Sequence, residues 1–170
     1  MGRVKTIARR SFLVGSVAVL GGVAFGTYMY KRDVKNPLLA DLKPGEATFN
    51  PYVKVDAQGV TLITPRADVG QGAYSIQAHM LAEELDVDLA DVRIDPGMPD
   101  PAYYNGVVAV EGMPVAATSD SLGARAGRGA YDVLGKFLGL QLTGGSSTVP
   151  DMLDRLRHAG AVARETLISA

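Results

Sequence analysis

The period of the apolar positions changes between Tyr52 and Leu85. Side chains alternate along Tyr52–Asp56, a β-branched run follows at Val60–Thr64, and the turn Ala57-Gln58-Gly59 lies between them, a pattern that predicts a β-hairpin. From Ala73 onward the apolar positions follow the period of a helix, at Ile76, Met80, Leu81 and Leu85. The sequence therefore predicts strand, glycine turn and helix in direct succession.

Three later segments complete the predicted fold. Val92–Asp95 is a short strand, and helical spacing within Ser119–Leu140 predicts a helix from Ala130 onward. Glycines at 123, 127 and 129 weaken its first half by about 1 kcal/mol each, so that part is irregular or packs closely against a neighbour. A last helix from Asp151 has its predicted buried stripe at Leu153, Leu156, Ala159, Ala163 and Leu167. The fold class is α+β: a β-hairpin and short strands packed with two or three helices.

The first 30 residues have a different character. A basic start ending in Arg9-Arg10-Ser11-Phe12-Leu13 precedes an apolar run from Phe12 to Tyr30. This resembles a twin-arginine (Tat) export signal; the alternative is a plain membrane anchor, since about 20 apolar residues span a bilayer. We expect a signal or anchor at 1–30, a proline-containing linker at 31–51 and a domain at 52–170. The expected location is the periplasm, with 12–30 as a membrane anchor if the segment is retained.

Composition excludes several kinds of site. The net charge of −1 gives no electrostatic reason to expect nucleic acid, and the lack of cysteine excludes disulfides and cysteine-ligated iron–sulfur clusters within this chain. The acidic residues at 86, 88, 91 and 95 lack the spacing of a calcium loop. His79 and His158 each stand alone on a predicted helix. No metal ligand is predicted.

Two glycine-containing turns are the candidate ligand sites. In Asp68-Val69-Gly70-Gln71-Gly72 the glycines allow close backbone approach, and the helix start offers free N–H groups to an anionic or oxo-bearing group. Gln71, at the apex, carries both an amide donor and an acceptor. The second turn, Thr143–Thr148, precedes Val149-Pro150-Asp151 and again combines glycines, hydroxyls and a helix start. The alternative for the first turn is a tight connection without a ligand, and the alternative for the second is a flexible capped turn.

A family resemblance favours the ligand interpretation. Asp68–Gly72, followed by Ala82-Glu83-Glu84-Leu85-Asp86-Val87, resembles the molybdopterin-binding subunits of the molybdenum hydroxylases, the xanthine dehydrogenase and aldehyde oxidase family, and in style those of the isoquinoline 1-oxidoreductase beta type. The segments Asp100–Asn105 and Leu156–Glu165 also resemble the family. The domain at 52–170 would then be part of a larger molybdopterin-binding domain.

The resemblance implies a cofactor and partners. Gln71 would reach the oxo group of the molybdenum centre, with Gly70 and Gly72 shaping its turn, and the pyranopterin would be held by Gly144, Gly145, Ser146, Ser147 and Thr148. The implied reaction is oxidation of an aldehyde or an N-heterocycle with oxygen from water. The implied partners are an iron–sulfur electron-transfer subunit, the remainder of the molybdopterin-binding subunit and the Tat machinery.

Family subunits are several times longer than this chain. Their catalytic glutamate lies in a Gly-Glu segment near their C-terminus, without a counterpart here, and the last helix reaches Ala170 without a capping residue. We therefore expect an N-terminal fragment of a molybdenum hydroxylase large subunit, with no catalytic residue of its own and inactive alone, unless Glu111 or Glu165 supplies the base. The alternative is a small, membrane-anchored, non-catalytic binding or assembly protein on the same scaffold.

Overall fold

The chain forms two compact units, the second being Val34–Ala170. The structure is a computed structural model, and it describes residues 2–108, 110, 113–116 and 118–170. The first unit, ending at Asp33, contains helix α1, Gly2–Lys31. Its stretch Ser11–Lys31 has a mean hydropathy of 1.7 and is long enough to cross a membrane. The predicted N-terminal apolar helix is confirmed; its length and composition fit a signal sequence or an anchor.

The second unit is built on a four-stranded mixed sheet. Strands β1 (Ala47–Asn50), β2 (Val53–Asp56), β3 (Gly59–Ile63) and β4 (Val92–Asp95) lie in the order β1-β2-β3-β4. The pairs β1–β2 and β2–β3 are antiparallel, whereas β3 and β4 are parallel. The predicted hairpin is β2–β3, and the predicted strand at 92–95 is β4.

Part of the segment predicted as a linker is folded. Strand β1 lies within 31–51, where Thr48 pairs with Lys54 before a bulge shifts the register. The Thr48 hydroxyl accepts a hydrogen bond from Asn36 Nδ2 at 3.1 Å and donates toward Val53 O at 2.9 Å. These side-chain bonds hold a four-residue edge strand whose own pattern is too short to predict it.

Three helices pack with or follow this sheet. They are α2 (Ala73–Leu85), α3 (Leu122–Leu138) and α4 (Thr148–Ser169). The predicted helix after the glycine turn is α2, and it makes the crossover from β3 to the parallel strand β4. Helix α3 begins at Leu122 rather than Ala130, because Ser121 Oγ caps it by accepting the Ala124 N–H at 3.3 Å. The prediction of an α+β fold is confirmed.

The core lies where α2 and α4 pack on the sheet. It is formed by apolar side chains from all three, including Val53, Leu62, Ile63, Ala78, Leu81, Met152, Leu156 and Ala163. At Gly160 an added Cβ would lie 2.6 Å from Leu81 O, so the backbones of α2 and α4 approach closely there. The predicted burial of two residues in the α4 stripe, Leu153 and Leu167, is wrong, because both side chains are exposed. The buried face instead runs through Met152, Leu156, Ala159, Gly160 and Ala163.

Candidate functional site

The first predicted turn uses its glycines as the sequence requires. Gly70 and Gly72 have φ of 100° and 79°, in the left-handed region that favours glycine. The side chain of Gln71 folds back onto its own loop: its Oε1 accepts from Val69 N at 2.6 Å, and its Nε2 donates to Ala67 O at 2.9 Å. The amide of Gln71 therefore braces the turn, a role that the sequence did not predict.

The start of α2 already holds an anion, the carboxylate of Asp68. This carboxylate accepts hydrogen bonds from Gly70 N at 2.7 Å and Tyr74 N at 3.0 Å. The N–H of Tyr74, followed by that of Gly70, holds the pKa of Asp68 below its usual value. The chain therefore supplies one anion of its own to this helix start, and the binding of an external group at the turn stays a prediction. An aspartate just ahead of a helix start is a signal that could have predicted this.

The second predicted turn divides into an inward and an outward part. Gly145 and Ser146 have φ of 56° and 50°, and both are exposed, as is Gly144. Ser147 is buried; its hydroxyl donates to Gly144 O at 2.6 Å and accepts from Asn105 Nδ2 at 2.7 Å. Ser147 thus secures the turn from inside, and Thr148, the first residue of α4, is partly buried.

The structure brings the two predicted turns together. The N–H of Ala67 donates to Thr143 Oγ1 at 2.8 Å, and Gln141 Nε2 donates to Pro65 O at 3.2 Å. The other end of the Gln141 amide accepts from Asp100 N at 3.1 Å. Three loops far apart in sequence therefore meet at this place.

A buried arginine, which the sequence analysis missed, joins the same loops. Arg66 is fully buried, and its guanidinium donates to Tyr103 O at 2.6 Å and Tyr104 O at 2.9 Å. It also forms an ion pair with the carboxylate of Asp151 in the first turn of α4. That carboxylate accepts the Gly106 N–H at 2.9 Å as well. The sequence signal is a charged residue three positions after the end of β3.

A second arginine extends the network toward α3. Arg155 donates to Tyr104 O at 2.9 Å, its guanidinium carbon lies 3.9 Å from the centre of the Tyr104 ring, and it pairs with Asp132 at 3.3 Å. Burial raises the pKa of Tyr104 to about 12 and also raises the pKa of Tyr103. The end of the predicted surface loop 96–105 is thus buried: Tyr103, Tyr104 and Asn105 lie inside.

The backbone of both turns is open to a ligand. A Cβ added at Gly70, Gly72 or Gly144 would meet no atom of the described residues within 4 Å. Gln71 uses one of its two amide hydrogens within the loop, so the other is available. These features fit a polar ligand lying against the two turns.

Other candidate groups are not assembled into a site. Among the residues that the structure describes, no group of three or more histidine, aspartate or glutamate side chains is placed to hold a metal ion. Glu165 is exposed on α4, and Glu111 lies outside the described residues. An open apolar concavity lies along α1, and none of the predicted cofactor residues lines it.

Comparison with known proteins gives one informative match. No family model matches the chain, and no solved structure gives a significant match. The chain is 30% identical over 167 residues to isoquinoline 1-oxidoreductase subunit beta of Brevundimonas diminuta, a match that covers 95% of this chain. It spans 17% of the length of that relative. The family resemblance predicted from the glycine turn is therefore confirmed, and the chain is related to a part of an isoquinoline 1-oxidoreductase subunit beta.

Proposed function

We propose that this chain is an N-terminal part of a molybdenum hydroxylase large subunit and that its two glycine turns form part of a molybdopterin site. The observation that carries the proposal is the hydrogen bond from Ala67 N to Thr143 Oγ1. It ties the residue before the first turn to the first residue of the second turn, and the resemblance assigns both turns to one cofactor. The chain matches only 17% of a related subunit, which supports the view that the rest of the site lies in the unmatched part of such a subunit.

The residues that we assign to the cofactor offer it open backbone, a side-chain amide donor or backbone N–H groups. Gly70 and Gly72 leave the backbone of the first turn open, and the second amide hydrogen of Gln71 is the donor for a polar atom of the cofactor. In the second turn, Gly144, Gly145 and Ser146 are exposed and Thr148 starts α4, so their backbone N–H groups suit an anionic pterin substituent. Ser147 supports that turn from beneath through Asn105.

The chemistry would come from the cofactor, which when bound supplies the two-electron oxidation of an aldehyde or N-heterocycle with oxygen from water. The contribution of this chain is to bind and orient it. Such a ligand requires a pocket with several walls, and this chain offers two. We therefore expect the purified chain alone to bind no stoichiometric molybdenum, and we expect electrons to leave through a separate iron–sulfur subunit.

The test uses a complete large subunit that carries this sequence. The subunit is purified, and its molybdenum and pterin content is measured. Gln71→Ala should lower turnover by about 10²-fold, by analogy with removing one positioned hydrogen-bond donor, at unchanged far-UV circular dichroism. Gln58→Ala, in the exposed hairpin turn, is the matched control. Unchanged turnover of the Gln71 variant at full molybdenum occupancy would refute the assigned role.

The rival hypothesis, a small membrane-anchored assembly protein, predicts a different DNA sequence after the Ala170 codon. A reading frame that continues past the Ala170 codon into a Gly-Glu segment supports the large-subunit proposal. A stop codon at that point with no complementary subunit encoded nearby supports the rival.

We also propose that residues 1–30 direct export through the Tat pathway to the periplasm, ahead of a partial molybdopterin-binding domain at 52–170. The support is the Arg9-Arg10 pair followed by an apolar helix able to span a membrane. Replacing Arg9 and Arg10 by Lys should block export of a folded reporter fused after Tyr30. Export that persists in a strain without the Tat pathway would identify the helix as an ordinary anchor.

A further inference from the structure

The buried residues of helix α3, which is part of the second unit, are small. Its two buried positions are Ala124 and Gly135. At Gly135 an added Cβ would lie 2.7 Å from Asn105 O, so the helix backbone itself rests on the loop below. An amphipathic helix normally turns its large apolar side chains toward the body of the protein. Here the small side chains take that position.

Three leucines of α3 point outward instead. We define the outward α3 face as Leu122, Ala126, Ala130, Leu134 and Leu138. At about 100° per residue, each step of four residues turns by about 40°, so these positions form a band that winds about 160° around the helix. The three leucines are 83%, 47% and 60% exposed, and both alanines are exposed. An exposed apolar surface of this extent on one element typically marks an interface.

Two glycines in α3 have no close neighbour among the described residues of the second unit. The sequence left open whether this half of the helix is irregular or closely packed, and the helix is regular from its first turn. Gly127 and Gly135 have close neighbours, Met113 and Asn105. At Gly123 and Gly129 an added Cβ would meet no described atom within 4 Å. Each glycine costs about 1 kcal/mol relative to alanine in a helix, and close approach of a partner would account for both.

We propose that the outward α3 face is covered by the part of the molybdopterin-binding subunit that lies outside the segment matched by this chain. This inference rests on the proposed function. Its support is that the match covers 95% of this chain and therefore includes α3, yet only 17% of the relative. In that relative the same segment is joined to a much longer polypeptide, whose tethering gives it a high effective concentration at this face. A second copy of this chain has no such advantage.

The test is co-purification. The full chain, tagged at its C-terminus and kept in detergent, is produced together with B. diminuta subunit beta from which the matched segment has been deleted. The host lacks molybdopterin synthesis. A Leu134→Glu, Leu138→Glu variant should recover at least about tenfold less of that subunit than the wild type, because buried leucines at the centre of an interface reject charge. Leu39→Glu is the control, since Leu39 is 61% exposed and lies outside α3.

Hydrogen exchange across 122–138 identifies the occupant. Protection that appears only with the deleted subunit beta is the expected result. Protection in the concentrated chain alone would assign the face to a second copy, and protection in lipid nanodiscs alone would assign it to the membrane; either outcome overturns the proposal. Recovery of no subunit by the wild type, or equal recovery by the α3 variant, also overturns it.

The two proposals can fail separately. Complex formation is measured without molybdopterin, so its loss says nothing about the cofactor turns. A complex that forms through the outward α3 face, but binds no pterin when made in a competent host, would refute the proposed function and leave this inference intact.

Discussion

Replacing Arg66 by Met should be among the most damaging single changes in the second unit. The side chains of Arg66 and Asp151 are 0% and 1% exposed, so the variant leaves a carboxylate buried without its closest cation. The backbone carbonyl of Tyr103 loses its arginine donor at the same time, whereas that of Tyr104 keeps the hydrogen bond from Arg155. Removing one partner of a buried pair costs about 3–5 kcal/mol.

The neighbours of Asp151 limit the loss. Its Oδ1 still accepts the Gly106 N–H at 2.9 Å and lies 3.5 Å from Arg155. We therefore expect about 3 kcal/mol for Arg66→Met, near the lower end of that range. With a urea slope of about 2 kcal/mol per molar, the unfolding midpoint should fall by about 1.5 M.

The assay is urea unfolding followed by near-UV circular dichroism of the tyrosines, which are the usable probes because the chain has no tryptophan. Arg157→Met is the control: its pair with Glu84 is half-exposed, with side chains 53% and 26% exposed, so its loss should cost about 0–1 kcal/mol. Replacing both partners, Arg66→Met with Asp151→Leu, should recover part of the stability. An Arg66→Met midpoint equal to that of the Arg157 variant would refute the reasoning.

Three further predictions concern packing and titration. Gly160→Ala should lower the free energy of unfolding by about 1–3 kcal/mol, because its Cβ would lie 2.6 Å from Leu81 O; a urea midpoint at or above that of the wild type would contradict this. The pKa of the Asp68 carboxyl, measured by NMR, should lie below the usual aspartate value, because the N–H of Tyr74 holds it down. The stabilising effect of this carboxylate is present above the unfolded pKa and is lost as pH falls through the folded pKa. A titration midpoint at or above the usual value would show that the hydrogen bonds do not form. Burial raises the pKa of Tyr104 to about 12. The contribution of the neutral Tyr104 side chain to stability is therefore complete below the unfolded pKa of about 10 and is lost as pH rises through the folded pKa. Absorbance at alkaline pH measures the ionisation, and ionisation of all tyrosines together near pH 10 would show Tyr104 to be exposed.

The elements predicted from the sequence are those whose pattern is local. The hairpin β2–β3 and helix α2 follow from alternation, a glycine turn and a change of period within 34 residues. Strand β1 was missed because four residues with a bulge carry no usable period. The start of α3 was missed because its glycines lower helix propensity, while the cap at Ser121 and the contact at Gly135 are visible only in the folded chain.

The candidate site shows the same division. The two turns were found because glycine next to a helix start is readable in sequence. Arg66 was missed because a lone arginine is normally read as exposed, and its partners lie 37, 38 and 85 positions away. Asp68 could have been recognised, since its hydrogen bonds reach only to Gly70 and Tyr74. The side chain of Gln71 bonds to its own loop, which the sequence did not predict.

The separation between Arg66 and Asp151 has a consequence for synthesis on the ribosome. The carboxylate that neutralises Arg66 is translated 85 residues later. At about 5–20 residues per second, the arginine therefore waits roughly 4–17 s for its counter-ion. The sheet and α2 are complete in sequence once Asp95 has been added, but until α4 follows they cannot bury the guanidinium without an uncompensated charge. The arrival of α4 thus sets the moment at which the second unit closes, and a chaperone that engages the nascent chain has those seconds in which to act.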